Sequence, residues 1–142
     1  MLKHILAGAA LAVATTGAFA QAQYPAKPVQ MIVPFAAGGP TDVVARALAQ
    51  AMSKAMGGNV VVENKPGAGG TLASELVKSA QPDGHTILIH HTGMSTAPAL
   101  YRTLRFNPLT DYEYVGQVVD VPMTLVGKKD LPPNNFKELL TY

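Results

Sequence analysis

The chain has 142 residues, 48% of them hydrophobic, which is enough for one domain with a packed core. Its 11 lysines and arginines nearly balance its 9 aspartates and glutamates, so it lacks the basic surplus that marks nucleic-acid-binding proteins. It contains no cysteine, which excludes disulfides, thiolate chemistry and a lipid attached at a cysteine.

The N-terminus has the organisation of a secretory signal peptide. Lys3 gives a positive head, residues 5–13 form an apolar run, and small residues follow. That run is far shorter than the roughly 20 residues of a membrane-spanning helix, which argues against an anchor. We therefore predict that residues 1–20 are a signal peptide, cleaved after Ala20 or, at a second small-residue pattern, after Ala22, and that the mature protein does not insert in the membrane.

The first strand is predicted over Val29–Val33, and the chain then passes through a Gly-Gly pair into a helix from Thr41 to about Met56. Glycines let the backbone approach a ligand closely or adopt a positive φ, and we expect Gly39 to serve in one of these ways. The N–H groups at a helix start attract anions. A plain strand-to-helix turn explains the same residues, so the local pattern leaves both roles open. The predicted buried stripe of the helix is Val44, Leu48, Ala51, Met52 and Ala55.

Two polar residues at this helix start carry further expectations. Thr41 is predicted to be the N-cap, where its hydroxyl serves either the helix or a ligand. Asp42 in the first turn is favourable against the helix dipole, but it would repel a carboxylate if it pointed at one. We therefore expect the Asp42 side chain to point sideways into the loop.

Two more strand–loop–helix units follow. Their strands are predicted at 59–64 and 86–91, their loops at 65–70 and 92–96, and their helices from Thr71 to about Ala80 and near 98–101. The predicted buried stripe of the second helix is Leu72, Leu76 and Ala80. Alternating strands and helices predict a parallel sheet that is covered on both faces. Right-handed crossovers then bring all three loops to the carboxyl edge of the sheet, where open α/β folds bind ligands.

The rest of the chain is less regular. A polar connection over 102–113 precedes residues 114–127, which are predicted to form one strand, or two strands bent near Pro122. A helix is predicted to start after Asn135. No capping glycine and no polar tail follow it, so we expect the chain to be a truncated piece of a longer protein.

The motifs of several enzyme classes are missing. The sequence has no phosphate loop of the nucleotide hydrolases, no complete dinucleotide fingerprint and no G-x-S-x-G elbow, and the GAGG at 67–70 lacks the third glycine. His90 and His91 are adjacent on a predicted strand and would point to opposite faces, so we expect a structural or ligand-contacting role and no metal site. His85 is predicted to pack half-buried. We predict no cofactor and no catalytic residue.

Five segments together resemble a known family: YPAKPVQMIVPFAAGGPTDVVARALAQ, VVVENKPGAGG, AQPDGHTIL, PALYRTL and NPLTDYEYVGQVV. In this order and spacing they resemble the substrate-binding proteins of tripartite tricarboxylate transporters, the Bug family of periplasmic receptors. The resemblance covers essentially the whole mature chain. The sequence departs from the family at His85, where a tyrosine is usual, and at Ala97, where an asparagine often precedes the proline of the third loop.

The resemblance implies a fold and a domain division. The fold is α/β, a periplasmic-binding-protein-like flytrap with two lobes that close on a ligand. Residues 21–120 then form most of the first lobe, which is incomplete, and residues 121–142 form the crossing strand and the truncated start of the second lobe.

The resemblance also implies a ligand and its site. The ligand is a small carboxylate: a dicarboxylate, a citrate-like tricarboxylate, an acidic amino acid or an aromatic acid. Backbone and hydroxyl donors of the first and third loops would bind it, and an aromatic ring would line the pocket. The implied ligand-binding residues are Phe35, Gly38, Gly39, Thr41, Asp42, Thr92, Gly93 and Ser95.

As a family member, the protein is expected to be a periplasmic receptor that captures the carboxylate and delivers it to the membrane subunits of a tripartite transporter. It is expected to be a monomer when complete. Two alternatives remain open: a receptor that presents its ligand to a sensor kinase, and a periplasmic hydrolase or isomerase.

Overall fold

Strands and helices alternate as predicted in the computed structural model, which describes residues 23–122 and 124–142. The predicted signal peptide and both cleavage positions lie outside the described residues. In chain order the elements are β1 (Val29–Val33), α1 (Pro40–Met56), β2 (Val60–Asn64), a 3₁₀ turn (Ala68–Gly70), α2 (Thr71–Lys78), β3 (Thr86–Leu88), α3 (Gly93–Leu100) and α4 (Phe136–Thr141). The chain divides between Tyr112 and Glu113 into two units.

The first unit is built on a three-stranded parallel sheet of order β2-β1-β3. The register runs from Val29 opposite Val60 to Val33 opposite Asn64 on one side of β1. The apolar sequence of β1 suits the central position, since four of its five residues are buried. Because all three strands are parallel, the loops that follow them start at the same edge of the sheet, as predicted.

One core cluster lies between the sheet and α1. The buried residues of the cluster are Met31 and Val33 from the sheet and Ala45 and Ala49 from the helix. The predicted stripe was wrong in part. Ala51 and Ala55 are exposed, whereas Leu48 and Met52 are partly buried beside the alanines. The small alanines bring the helix axis close to the strands, so the larger side chains fill the margins of the contact instead of its centre.

The predicted stripe of α2 was also wrong. Leu72 and Leu76 are 54% and 42% exposed, and the buried residues of this helix are Thr71, Ala73 and Ser74. The Ser74 hydroxyl donates to the Gly70 carbonyl at 3.1 Å and contacts the Met94 sulfur at 3.7 Å. A buried hydroxyl of this kind needs a partner, and these contacts turn the small face of α2 inward.

A second cluster includes residues from α3 and the connection after it. Met94, Ala97 and Phe106 are buried, and Tyr112 meets Phe106 edge-on with ring centroids 5.8 Å apart. The Tyr112 hydroxyl donates to the Ser74 carbonyl at 2.8 Å, which ties the end of the first unit to α2.

The third strand is shorter and its helix longer than predicted. β3 ends at Leu88, and the Ile89 N–H adds one further ladder bond to the Ile32 carbonyl at 3.1 Å. α3 begins at Gly93, so most of the predicted loop over 92–96 forms the first turn of a helix. His90 and His91 therefore lie beyond the strand, where the alternation of side chains between two faces no longer applies.

The second unit has α4 as its one regular element among residues 113–122 and 124–142. Its helix begins after Asn135 as predicted, because the Asn135 side chain accepts the Glu138 N–H at 3.0 Å. The strand predicted over 114–127 is absent from the described part of that segment, where Val115 and Val126 are 97% and 84% exposed. A strand needs a neighbour to bond its backbone, and none pairs with this segment in the described chain. No described helix combines the length and the apolar character that crossing a bilayer requires.

Candidate functional site

Three aromatic rings from two loops meet at the carboxyl edge of the sheet; they are Phe35, His90 and His91, here called the edge cluster. Phe35 follows Pro34, the first residue after β1, and both histidines follow β3. The His91 ring stacks on Phe35 with centroids 4.5 Å apart and an interplanar angle of 13°. His90 meets Phe35 edge-on at 5.6 Å and His91 edge-on at 5.2 Å. Phe35, which was predicted to line the site, is therefore in ring contact with two histidines.

The glycine loop after β2 packs against the same cluster. Gly70 has φ +97°, and a Cβ there would lie 2.7 Å from His90 Nε2 and 3.2 Å from Pro34 Cβ. Such an approach is open only to glycine. Residues from all three strand–helix connections therefore meet at one place on the sheet edge.

Asp42 fixes the shape of the first loop. Its carboxylate accepts three hydrogen bonds: from the Gly38 N–H at 2.8 Å, from Arg46 Nε at 2.9 Å and from Asn64 Nδ2 at 2.9 Å. The same Asn64 amide donates to the Phe35 carbonyl at 3.0 Å. The side chain is buried and points into the loop, as the sequence analysis expected.

These donors also set the charge state of Asp42. The hydrogen bond from Arg46, followed by those from Gly38 and Asn64, lowers the pKa of the Asp42 carboxyl from 3.8 to about 2. The group is therefore an anion at neutral pH, and its negative charge is shared among three donors. Its oxygens hold the loop together rather than facing outward.

The structure differs from the sequence analysis on the cap of α1. Gly39 is the N-cap, with φ −74° and ψ 168°, because Pro40 takes the first helical position that proline favours. Thr41 is thus the second helical residue, and the predicted N-cap was wrong. The positive φ of this loop belongs to Gly38, at +81°, and not to Gly39.

Some backbone N–H groups at the start of α1 are hydrogen-bonded within the loop and others are not. The Gly38 N–H bonds to Asp42, and the Gly39 N–H bonds to the Ala36 carbonyl at 3.3 Å. The N–H groups of Thr41 and Asp42 have no hydrogen-bond partner among the described residues. Two donors at the positive end of a 17-residue helix are therefore left available at the carboxyl edge.

The third loop uses most of its polar groups internally. The Gly93 N–H donates to His91 Nδ1 at 2.8 Å, and the Ser95 hydroxyl donates to the Thr92 carbonyl at 2.8 Å. The Thr92 N–H and hydroxyl make no hydrogen bond within the part of the chain that the structure describes. Of the three residues predicted in this loop, Thr92 has the free donors, while Gly93 and Ser95 shape the turn.

His90 and Asn64 were not among the predicted site residues. Burial is the main cause that lowers the pKa of His90, which favours the neutral ring at neutral pH. The sequence held a signal for both residues, since Asn64 is the last residue of one predicted strand and His90 is the last residue but one of another. His85, by contrast, lies outside this edge: it is buried, with Nδ1 3.0 Å from the Asp83 carbonyl. No group of three or more metal-ligating side chains occurs among residues 23–122 and 124–142.

Comparison with known proteins places this geometry in a family. Residues 44–142 match the family model described as the tripartite tricarboxylate transporter family receptor. The UPF0065 protein in the TAR-I ttuE-ttuC' intergenic region of Agrobacterium vitis is 50% identical over 121 residues, which are 85% of this chain and 35% of that protein.

Two solved structures are similar as well. The periplasmic binding protein BugD is 58% identical with a TM-score of 0.70, over 84% of this chain and 40% of that one. MatC from Rhodopseudomonas palustris, solved with bound malate, is 40% identical with a TM-score of 0.74, over 84% of this chain and 41% of that one. The chain therefore spans less than half the length of each of these three proteins.

Proposed function

The chain belongs to the tripartite tricarboxylate transporter receptor family, and from this membership we propose that it is the ligand-binding part of a receptor for a small carboxylate. The observation that carries the proposal is the set of unpartnered donors at the carboxyl edge: the N–H groups of Thr41, Asp42 and Thr92 and the Thr92 hydroxyl. An ionised carboxylate accepts hydrogen bonds and donates none, so it complements such a set.

The charge of the site suits the same ligand. Thr41 and Asp42 lie in the first turn of α1, where the helix dipole adds positive potential. The Asp42 carboxylate is turned away and held by its own donors, which limits its repulsion of an incoming anion. Phe35 and its stacked His91 give the site an apolar wall for the carbon skeleton of the ligand. In this proposal Gly38, Gly39, Gly93 and Ser95 shape the two loops. Thr41, Thr92 and the backbone N–H of Asp42 bind the ligand.

We propose that the protein holds its ligand without transforming it. MatC, a structural neighbour at 40% identity, was solved with bound malate, which supports a holding role. In the third loop the Ser95 hydroxyl donates to the Thr92 backbone carbonyl and not to a general base, so this hydrogen bond does not activate the serine as a nucleophile.

The whole protein is proposed to act outside the inner membrane as a two-lobed receptor, with residues 21–120 in the first lobe and 121–142 entering the second. It would release the carboxylate to the membrane subunits of its transporter. BugD, the structural neighbour at 58% identity, is a periplasmic binding protein, which supports this location.

A thermal-shift screen of the complete protein tests the function. The panel contains malate, adipate, citrate, aspartate and benzoate, with glucose and cadaverine as uncharged and cationic controls that carry no carboxylate. We expect at least one carboxylate to raise the midpoint in proportion to the logarithm of its concentration, because it binds the folded state alone. A protein that responds to none of the acids, or equally to glucose, would contradict the proposal.

A further inference from the structure

The His91 ring has close neighbours in the first and the third loop. One face stacks on Phe35 at 4.5 Å, and Gly93 lies so near the ring that a Cβ there would be 2.7 Å from His91 Cε1. The side chain is nevertheless exposed at the carboxyl edge. The ring is therefore held in one orientation by the first and third loops while part of it faces outward.

The contacts of His91 also define its tautomer. Nδ1 accepts the Gly93 N–H at 2.8 Å, so this nitrogen carries no hydrogen. In the neutral imidazole the proton then sits on Nε2. Nε2 has no hydrogen-bond partner within residues 23–122 and 124–142. An oriented donor is thus present with nothing in the described chain to receive it.

His90 differs from His91 in this respect. Its Nδ1 lies 2.9 Å from the His91 N–H and 3.1 Å from the His91 carbonyl, so it is engaged with the backbone of its neighbour. Its ring is partly buried between Phe35 and Gly70. His90 therefore packs within the edge cluster, whereas His91 is the histidine with an N–H group that is available to a ligand.

We propose that His91 is a ligand-binding and specificity-determining residue, whose Nε2–H donates to a carboxylate oxygen of the bound ligand. The assignment rests on the proposed function of the site. It adds a side-chain donor to the backbone donors of Thr41, Asp42 and Thr92, and it places that donor on the aromatic wall. A ring whose Nε2–H faces the ligand favours acceptor groups over ammonium groups, which bring donors of their own.

Two substitutions separate the two ring nitrogens. In His91→Asn the amide oxygen can accept the Gly93 N–H where Nδ1 did, but no donor reaches the position of Nε2. In His91→Gln the amide NH₂ reaches approximately the position of Nε2, but the Nδ1 acceptor is lost. The pair therefore tests the donor separately from the loop geometry.

The experiment is calorimetric titration of the complete protein and its variants with malate, or with whichever acid of the panel binds the wild type most tightly. We expect His91→Asn to weaken binding at least tenfold and His91→Gln to stay within about threefold of the wild type. Gln50→Ala, an exposed position on α1, serves as the control variant. Far-UV circular dichroism and thermal unfolding confirm that each variant is folded, and His91→Phe, which keeps the stack on Phe35, replaces His91→Asn if that variant does not fold.

The outcomes separate the two proposals. A wild type that binds no carboxylate would overturn the proposed function itself. A wild type that binds, with His91→Asn equally tight or His91→Gln as weak as His91→Asn, would overturn the role of His91 and leave the receptor function standing.

Discussion

Asp42 lies beneath the glycine pair and joins three parts of the first unit through its carboxylate. It holds the Gly38 N–H, the Arg46 guanidinium and the Asn64 amide, and Asn64 in turn holds the Phe35 carbonyl. A network centred on a buried carboxylate is costly to break, because each donor left behind loses its partner. We infer that this network fixes the conformation of the loop that leads to the Thr41 and Asp42 N–H groups.

The charge of Asp42 makes this contribution dependent on pH. Because the folded-state pKa of about 2 is below the ordinary 3.8, the folded state binds the proton less readily than the unfolded one. Its stabilising effect is fully present above the ordinary pKa and is lost as the pH falls toward 2. We expect the wild type to have a higher urea midpoint of unfolding than Asp42→Asn at pH 6. The difference between the two midpoints should shrink steadily between pH 4 and pH 2.5.

Urea unfolding of both proteins at several pH values checks this. Asp83, whose pKa is also lowered to about 2 by Lys27, titrates in both proteins and cancels in the difference. A difference in midpoint that does not change with pH would show that the charge of Asp42 is not what stabilises the loop.

Gly38 and Gly39 are expected to differ in their tolerance of a side chain. Gly38 has φ +81°, which costs an L-residue roughly 1–2 kcal/mol, although no atom would meet its Cβ within 4 Å. Gly39 has an ordinary φ, and its Cβ would lie 3.3 Å from the Ala36 carbonyl oxygen. We therefore expect Gly38→Ala to lower stability and carboxylate affinity more than Gly39→Ala. Chemical denaturation and calorimetry would decide the order, and a larger loss for Gly39→Ala would contradict the observed loop conformation.

The elements show what could be predicted from the sequence. The bounds of β1 were predicted to the residue, since the run between Pro28 and Pro34 is apolar apart from Gln30 and has few alternatives. The start of α1 was missed by one residue, because Thr41 suited the N-cap by type while Pro40 suited the first turn by backbone geometry.

The inward faces of the helices were harder to predict. Counting large apolar residues favoured Leu72 and Leu76, yet the buried residues of α2 are Thr71, Ala73 and Ser74. Close packing selects small residues at a tight contact, and this information lies in the neighbouring elements rather than in the helix sequence. The edge cluster was predicted only in part, for a similar reason. Phe35 was named, but His91 joined it because β3 ended at Leu88, which depends on pairing with β1.

Substitutions on α2 test its orientation. Ala73 is fully buried, so Ala73→Leu inserts atoms into a packed contact and should destabilise the protein by about 1–3 kcal/mol. Leu72→Ala removes a side chain that is 54% exposed, and its effect should be clearly smaller. Urea denaturation of the two variants gives the comparison. A larger loss of stability for Leu72→Ala would contradict the observed orientation of α2 and support the predicted one, with Leu72 and Leu76 inward.

At the scale of the whole molecule, the chain spans less than half the length of each of the three similar proteins. On the proposed two-lobed architecture, the donors at the carboxyl edge form one side of a ligand site. On an open surface that water also reaches, each of these hydrogen bonds nets about 0.5–1.5 kcal/mol. The four donors together therefore offer roughly 2–6 kcal/mol, while association costs about 4 kcal/mol or more. We therefore expect the 142-residue chain alone to bind a carboxylate no more tightly than about millimolar.

Titration of the 142-residue chain beside the complete protein, with the same acid, measures this difference. We expect micromolar affinity for the complete protein and heat signals too weak to fit for the shorter chain. Micromolar binding to a monomeric, cooperatively unfolding 142-residue chain would contradict the division of the site between two lobes.

A crystal structure of the complete protein with its tightest-binding acid tests the central claim most directly, because that claim is about where the anion lies. The predicted result is a carboxylate group at the carboxyl edge of the sheet. Its oxygens would lie within hydrogen-bonding distance of the Thr41 and Asp42 N–H groups and of Thr92, with the carbon skeleton against the ring of Phe35. A ligand bound elsewhere, with these donors facing only water, would contradict the account.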